Sequence, residues 1–239
     1  MKRFYKKASY SPLQDGVGYS ILLDDRPLNT PSKNIFTVDN EQLATLVSDE
    51  WNAQGDTIIP ATMPIYSILV TAIDKSNADD RNGITKELTP YIDGDLVFYH
   101  APDPIGLTHY QADIWGAAID AFVTFYKTRP DITHDLIALK QSGDYHLAIL
   151  NEIKSLSNIE FTIFHILVSI GGSPLVACLA LRRHYDSEQI IKILNAESDF
   201  YHKHYKFKDD DIAPDERQKN ELIQRDINAC MDILGALKI

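Results

Sequence analysis

The spacing of apolar side chains predicts two amphipathic helices between residues 39 and 74. Asp39 and Gln42 have the spacing of a capping box, so the first helix is predicted to start there. Gly55 is predicted to end it, because glycine tolerates the left-handed conformation that stops a helix. The apolar residues that recur at helical spacing between these ends are Leu43, Leu46, Val47 and Trp51.

The second helix is predicted to open at Thr62 and Pro64, since proline in the first turn loses no hydrogen bond. Its apolar face consists of Ile65, Ile68, Leu69, Ala72 and Ile73.

A small sheet is predicted ahead of these helices. Residues 17–23 alternate in the manner of a half-buried strand, with Val17, Tyr19, Ile21 and Leu23 on one face. A turn is predicted at Asp24-Asp25, and residues 26–28 and 35–38 are predicted as further short strands. Residues 1–38 are therefore predicted as a β meander that packs against the two helices, because so small a sheet is marginal alone.

Only helices are predicted from residue 79 onward. Pro90 and Gly94 are expected to bend or split the first of them. The others are predicted at residues 108–126, 142–156, 158–170, 173–184, 187–206 and 215–236. A sharp break is expected at Gly171-Gly172-Ser173-Pro174, and residues 206–215 are expected to be a hinge or linker.

These patterns predict an α+β fold: a small N-terminal antiparallel sheet layer with packed helices, followed by an all-helical C-terminal domain. The predicted domains are residues 1–78, β-rich with two helices, and residues 79–239, helical.

Composition narrows the class of protein. The chain of 239 residues has 44% hydrophobic residues and a net charge of −11. Nucleic-acid binding requires a basic face, so this balance argues against it. The net negative charge is complementary to a basic or amphipathic protein partner. The alternative is that it only keeps the protein in solution.

No segment has the length of a membrane span, so membrane insertion is not expected. Cys178 and Cys230 lie in apolar helical patterns, which indicates a reducing compartment and no disulfide framework. The first seven residues are basic but lead directly into a strand pattern, so they do not resemble a transit peptide. A complete, cytoplasmic chain is expected.

The most distinctive string is Glu50-Trp51-Asn52-Ala53-Gln54, followed by Pro60, Thr62-Met63-Pro64 and Thr71-Ala72-Ile73-Asp74. It closely resembles the assembly-chaperone family for the catalytic head of F-type ATP synthase. Further blocks that resemble this family are residues 23–31, residues 95–101, Gln111 with Trp115, and residues 197–202. The sequence departs from the family pattern where His100 replaces Arg, Gly116-Ala117 replaces Asp-Pro and His202 replaces Gln. The Trp-Gly pair that usually follows the last of these is also absent.

The resemblance implies a monomeric chaperone, without cofactor or catalytic residues, that holds the unassembled alpha subunit before it joins beta. It also implies a bacterial cytoplasm here, whereas eukaryotic relatives work in the mitochondrial matrix. The candidate structural or partner-binding residues are Glu50, Trp51, Gln54, Pro60, Met63, Pro64, Asp74, Asp95, Tyr99, Gln111, Trp115, Glu197, Asp199 and Tyr201.

Several of these residues have plainer interpretations. Trp51 and Trp115 are expected in the core, since large aromatic residues are usually buried. Phe200, Tyr201, Tyr205 and Phe207 form either a partner-facing patch or an ordinary helix-packing face. On the family pattern, Asp199 stands where a glutamate is usual, and Glu197 is the alternative acidic residue.

Two other functions remain open at this point. A helical hydrolase would use Glu50, Asp74, Asp95 or Asp199 with a histidine, and it requires that these groups converge in one pocket. A helical adaptor would differ from the chaperone only in its partner. Zinc binding is disfavoured, because His202 and His204 are two residues apart and lie on different helix faces. Ser173 is expected to be a helix cap rather than a nucleophile.

Overall fold

The computed structural model describes residues 1–14, 16–75, 77–135, 137–205 and 213–237. The chain packs into two compact units: Met1–Arg81 together with Ala229–Ile239, and Asn82–Asn228. The first unit thus includes the C-terminal end of the chain as well as the sheet. The division into domains of residues 1–78 and 79–239 stays a prediction. The predicted hinge at residues 206–215 falls mostly on 206–212, outside the described residues.

The sheet of the first unit has four antiparallel strands: β1 (Ala8–Pro12), β2 (Tyr19–Leu23), β3 (Arg26–Pro27) and β4 (Thr37–Val38). β2 is central, since it pairs with β1 on one edge and with β3 and β4 on the other. Ile21 and Leu23 are buried as the alternation predicts. Val17 is 74% exposed and precedes β2, so the predicted strand begins two residues too early.

Two helices follow, α1 (Glu41–Asn52) and α2 (Pro64–Asp74), with a 3₁₀ turn at Pro60–Thr62 between them. The predicted capping box is wrong, because the cap is Asn40, whose side chain accepts a hydrogen bond from the N–H of Leu43. Gly55 does not cap the helix either, since α1 ends at Asn52 and its C-cap residue Ala53 is right-handed. Pro64 opens α2 as predicted.

The core of the first unit lies where α1 packs against β1 and β2. Leu43 and Val47 from the helix and Ile21 and Phe36 from the sheet region have no exposed surface. The predicted packing of the small sheet is confirmed for α1. α2 contacts the segment before β4 through the rings of Tyr66 and Phe36, whose centroids are 5.2 Å apart.

The remaining helices are α3 (Ala78–Leu88), α4 (Pro90–Asp93), α5 (Ile105–Tyr126), α6 (Gly143–Ser155), α7 (Asn158–Gly171), α8 (Pro174–Leu181), α9 (Ser187–Leu194), α10 (Ala196–Tyr205) and α11 (Pro214–Ala236). A 3₁₀ turn, Leu96–Phe98, lies between α4 and α5. The predicted helix at 187–206 is two helices that meet at Asn195. The α+β class is confirmed.

α8 is the centre of the second unit. It packs against α5, α6 and α7, and Leu175, Cys178 and Leu179 have no exposed surface. The predicted break before it is a left-handed Gly172 (φ 63°), followed by Ser173, whose side chain caps α8. Among the described helices, none combines the length and apolarity required to cross a membrane.

Candidate partner-binding surfaces

Glu50 is used inside the first unit as a cap for a neighbouring helix. Its carboxylate accepts hydrogen bonds from the backbone N–H groups of Ile65 at 2.8 Å and Tyr66 at 2.7 Å. The first N–H groups of a helix have no partner within the helix, and they carry the positive end of its dipole. Glu50 therefore fixes the start of α2 against the end of α1.

Gln54 is buried and closes the crossover between these helices. Its side-chain oxygen accepts from the N–H of Ile59 at 2.8 Å, and its side-chain nitrogen donates to the Thr62 hydroxyl at 3.1 Å. Pro60 begins the 3₁₀ turn, and Met63, 1% exposed, fills the space before Pro64. The structure thus brings Glu50, Gln54, Pro60, Met63 and Pro64 together in one crossover.

Trp51 is a core residue of the first unit, as expected. Its ring makes edge-to-face contacts with Tyr5 at 5.5 Å and Tyr66 at 5.1 Å between centroids. The hydroxyl of Tyr5 donates to the backbone oxygen of Trp51 at 2.5 Å. Trp51 therefore joins the N-terminal segment to both helices.

Asp74 lies at the other end of α2 and holds the loop before β4. Its carboxylate accepts from the hydroxyl of Thr30 at 2.6 Å, the side chain of Asn34 at 2.8 Å and the N–H of Ser32 at 3.3 Å. Burial alone raises the pKa of Asp74, but these hydrogen bonds outweigh it and hold the pKa below its ordinary value.

Asp95 is fully buried in the second unit. Its carboxylate accepts from the N–H of Val97 at 3.1 Å and the N–H of Leu175 at 2.9 Å, and it also bonds the hydroxyl of Ser173. Burial raises the pKa of Asp95 to about 7 despite these three hydrogen bonds, because a buried charge has lost its solvation. Asp95 thus ties the 3₁₀ turn at Leu96–Phe98 to the start of α8.

Tyr99 belongs to a network that the sequence did not reveal. Its hydroxyl donates to the backbone oxygen of Asp93 at 3.1 Å and accepts from the N–H of Leu139 at 3.0 Å. The Asp93 carboxylate accepts from the N–H of Gln141 at 2.8 Å and lies 2.8 Å from the His146 ring. These hydrogen bonds hold the segment before α6 against the end of α4. Nothing in the local sequence pairs residues so far apart.

Gln111 and Trp115 lie on the buried face of α5. Gln111 accepts from the N–H of Ala101 at 2.7 Å, and the indole of Trp115 donates to the backbone oxygen of Ile193 at 2.9 Å. His100, where the family pattern has Arg, packs edge-on against Trp115. Burial lowers the pKa of His100, so the residue is neutral at neutral pH and does not replace the arginine charge.

The C-terminal candidates lie on α10. Glu197 is exposed, whereas Asp199 is partly buried, and that burial raises its pKa despite the nearby positive charges. Tyr201 stacks on Tyr205, which is 61% exposed. Phe200 instead packs inward against α5, where its ring lies in contact with Gly106 and Tyr110. The predicted aromatic patch is therefore divided between packing and exposure, and Phe207 lies outside the described residues.

The arrangement required for a hydrolase is not present among these candidates. Glu50 and Asp74 bind backbone and side-chain donors within the first unit, and Asp95 is enclosed by the start of α8. Within the described ranges, no group of three or more His, Cys, Asp or Glu side chains is placed to hold a metal ion.

Comparison with known proteins defines the class. A family model described as ATP12 chaperone protein matches residues 2–123, about half of the chain. The chain is 27% identical over 207 residues to the mitochondrial protein atp12 of Schizosaccharomyces pombe, which covers 82% of this chain and 70% of that protein.

Two solved structures share the fold. Atp12 from Paracoccus denitrificans has a TM-score of 0.86 and 25% identity, over 98% of this chain and 97% of that chain. The Atu1473 protein from Agrobacterium tumefaciens has a TM-score of 0.89 and 25% identity, over 99% and 86% of the two chains. The chain therefore belongs to the ATP12 chaperone family. It is an ATP synthase assembly chaperone, and its partner is a subunit of that enzyme.

Proposed function

We propose that the protein binds the unassembled alpha subunit of the F-type ATP synthase and shields the surface that alpha later presents to beta. The observation that carries this proposal is the ATP12 family match over residues 2–123 together with a shared fold over 98% of the chain. Subunit surfaces awaiting assembly are apolar and prone to aggregation, which gives such a chaperone its physical task.

The protein acts by binding alone. A holder that binds one state stabilises that state by mass action and needs neither nucleotide nor covalent chemistry. The way the structure uses the candidate carboxylates supports this mode, since Glu50, Asp74 and Asp95 hold the fold together rather than face a common pocket. The site of action in this reading is the cytoplasm of a bacterium.

The exposed part of α10 is the first candidate contact surface for alpha. Glu197 supplies charge, Tyr205 supplies an aromatic anchor, and Asp199 lies between them on the same helix. We expect that Glu197→Gln and Tyr205→Ser weaken alpha binding without changing the melting temperature. Glu188→Gln, an exposed carboxylate on α9, is the matched control for Glu197.

A pull-down with identification of the retained polypeptide tests the proposed function. The immobilised protein is expected to retain alpha from a cell extract at modest salt. Trp51→Arg is the misfolded control, because it forces a charge between the Tyr5 and Tyr66 rings. Failure of the wild-type protein to retain alpha, or equal retention by Trp51→Arg, contradicts the proposal.

A further inference from the structure

The first unit carries a groove between α1 and the C-terminal end of α11, here called the α1–α11 groove. It has a volume of about 360 Å³ and is lined by Gln42, Thr45, Leu46, Asp232 and Ala236. Ligand pockets span roughly 300–1,000 Å³, so this groove holds one or two side chains of another chain rather than a larger ligand.

Both walls of the groove are held in place by the fold. The side chain of Asn40, which caps α1, donates to the backbone oxygen of Ala236 at 3.0 Å. Leu43 on α1 and Ile233 on α11 anchor the two helices in the core, since neither has exposed surface. The groove is therefore preformed, and binding there costs little conformational freedom.

The groove combines apolar surface with one carboxylate. Leu46 is partly exposed, and Ala236 supplies apolar surface on the α11 side. The hydroxyl of Thr45 already donates to the backbone oxygen of Glu41 at 2.9 Å. Of the described lining residues, Asp232 alone is charged, and it is exposed. A ligand therefore meets apolar surface beside a negative charge.

The two helices that form the groove add negative charge and no positive charge. α1 carries three acidic residues and has no Lys, Arg or His. One of the three, Asp49, lies two turns after Gln42, on the face of α1 that lines the groove. Over residues 229–236 of α11, Asp232 is the only charged residue.

Nothing in the described part of the chain compensates the charge of Asp232. Partial burial raises its pKa, and no hydrogen bond or nearby charge from the described residues offsets that rise. The start of α1 and the end of α11 meet beside it, so the partial charges of the two helix ends oppose one another. A cation of another chain would therefore stabilise the charged form of Asp232.

A second copy of this chain is a poor occupant. Each copy carries a net charge of −11, so two copies repel one another. A twofold dimer on this face would place the same patch against itself and bring Asp49 and Asp232 of one copy toward those of the other. A partner segment that carries a Lys or Arg is instead attracted to the groove.

We propose that the α1–α11 groove binds a segment of the client subunit that presents a Lys or Arg beside an apolar side chain, the cation facing Asp232 and the apolar side chain lying on Leu46 and Ala236. The aliphatic stem of a Lys or Arg covers apolar surface while its charged head stays free to pair, which suits this arrangement. This inference rests on the proposed function, since it places a second contact with alpha on the first unit.

The first test measures the affinity of purified alpha for variants of Asp232. Asp232→Lys is expected to raise the Kd about tenfold or more, because like charges then meet, and Asp232→Asn about threefold, because only the attraction is lost. Asp56→Lys makes the same change of charge at an exposed position after α1 and is expected to bind as wild type. All three variants are expected to melt at the wild-type temperature, since both aspartates are exposed.

Salt separates an ionic contact from damage to the fold. The affinities of wild type and Asp232→Lys are expected to converge at about 0.5 M sodium chloride, because salt screens charges at the surface. Leu46→Ala removes apolar contact and is expected to weaken binding at low and high salt alike, whereas Leu222→Ala, at an exposed position of α11, is expected to bind as wild type. A deficit of Asp232→Lys that persists unchanged in high salt overturns the ionic contact.

The outcomes separate the two proposals. Loss of affinity in Asp232→Lys with retention in Asp56→Lys supports the groove. Wild-type affinity in Asp232→Lys, or an equal loss in Asp56→Lys, overturns the groove and leaves the proposed function standing. Failure of the wild-type protein to bind alpha overturns both.

The second test concerns the chain's own Lys238, which lies outside the described residues. If Lys238 paired with Asp232, Asp232→Asn and Lys238→Gln would lower the melting temperature by equal amounts, and the double variant would lose no more than either. We expect neither variant to lower the melting temperature. An internal pair of this kind would overturn the inference.

The third test identifies the occupant. A benzoylphenylalanine in place of Gln42, an exposed residue of the lining, is expected to cross-link on illumination to a segment of alpha in which a Lys or Arg neighbours an apolar residue. The same group in place of Asp56 is expected to give no product with alpha. Cross-links from position 42 to a second copy of this chain, or to a segment of alpha without a basic residue, overturn the inference.

Discussion

Each of the two units holds a carboxylate by several hydrogen bonds, and the pKa of that carboxylate shifts in opposite directions in the two units. Asp74 in the first unit accepts hydrogen bonds from Thr30, Asn34 and Ser32. Asp95 in the second unit accepts from the N–H groups of Val97 and Leu175 and from the Ser173 hydroxyl. Asp74 is partly exposed, and its pKa is lowered, whereas Asp95 is fully buried, and its pKa rises to about 7. Hydrogen bonds favour the charged form and burial opposes it, so the depth of the site decides the sign.

The largest expected effect concerns stability as a function of pH, which should change in opposite directions for Asp95→Asn and Asp74→Asn. A raised pKa gives stability that is fully present at acid pH and is lost as the pH rises to about 7, so Asp95→Asn should cost more at pH 4.5 than at pH 8. One pKa unit corresponds to about 1.4 kcal/mol, so a rise in pKa from 3.8 to about 7 amounts to about 4 kcal/mol over that whole pH range, of which about 3 kcal/mol falls between pH 4.5 and pH 8. Chemical denaturation at several pH values measures the unfolding free energy that Asp95→Asn loses.

Asp74→Asn is the internal comparison for that experiment. A lowered pKa gives stability that is present at neutral pH and is lost as the pH falls through the folded-state pKa. The cost of Asp74→Asn should therefore shrink toward acid pH, the reverse of Asp95→Asn. If the stability costs of the two variants change with pH in the same direction, the contrast between Asp74 and Asp95 is wrong.

Asp95→Ala is expected to cost about 3 kcal/mol or more of unfolding free energy at neutral pH, because two N–H groups and the Ser173 hydroxyl lose their acceptor in the interior. Thermal or urea unfolding measures this cost. Asp93→Ala, which removes a partly exposed carboxylate nearby in the chain, is the control and should cost less. Equal costs for the two variants would show that burial of Asp95 does not matter.

Glu50→Ala is expected to cost about 1–2 kcal/mol, because the start of α2 loses the acceptor for two N–H groups. Glu50→Gln should recover part of this, since an amide oxygen still accepts a hydrogen bond. Urea unfolding of both variants measures the difference. If Glu50→Ala leaves the free energy of unfolding unchanged, the start of α2 is held by other contacts.

The smallest effect is expected for Asp74→Ala at neutral pH, below about 1 kcal/mol, because solvent screens and partly replaces its interactions. Its measurable consequence is local: hydrogen exchange at Ser32, whose N–H donates to Asp74, should accelerate. Unchanged exchange at Ser32 would contradict the assigned contact.

The helices could be predicted closely because their signals are local. The helical patterns in the sequence place α6, α7 and α11 within a residue or two of their observed ends. The start of α1 was misplaced by one position because Asp39 and Asn40 are both good caps, and the choice between them depends on the chain path before the helix.

The contacts made by the candidate residues could not be predicted from local sequence patterns. Asp95 reaches Leu175, 80 residues away, and Asp74 reaches Thr30, 44 residues away, and no local pattern encodes such pairs. The E-W-x-x-Q string indicated the family correctly, but the structure shows that its Glu50 and Gln54 build a crossover. These two residues of the family signature therefore fix the crossover between α1 and α2.

The most direct measurement is a binding isotherm of the purified protein with isolated alpha and, in parallel, with isolated beta, in the absence of nucleotide. We expect saturable, stoichiometric binding of alpha and much weaker binding of beta, with alpha kept from aggregating. Equal binding of both subunits, or protection of alpha that depends on turnover of a small molecule and on a single carboxylate, would contradict it.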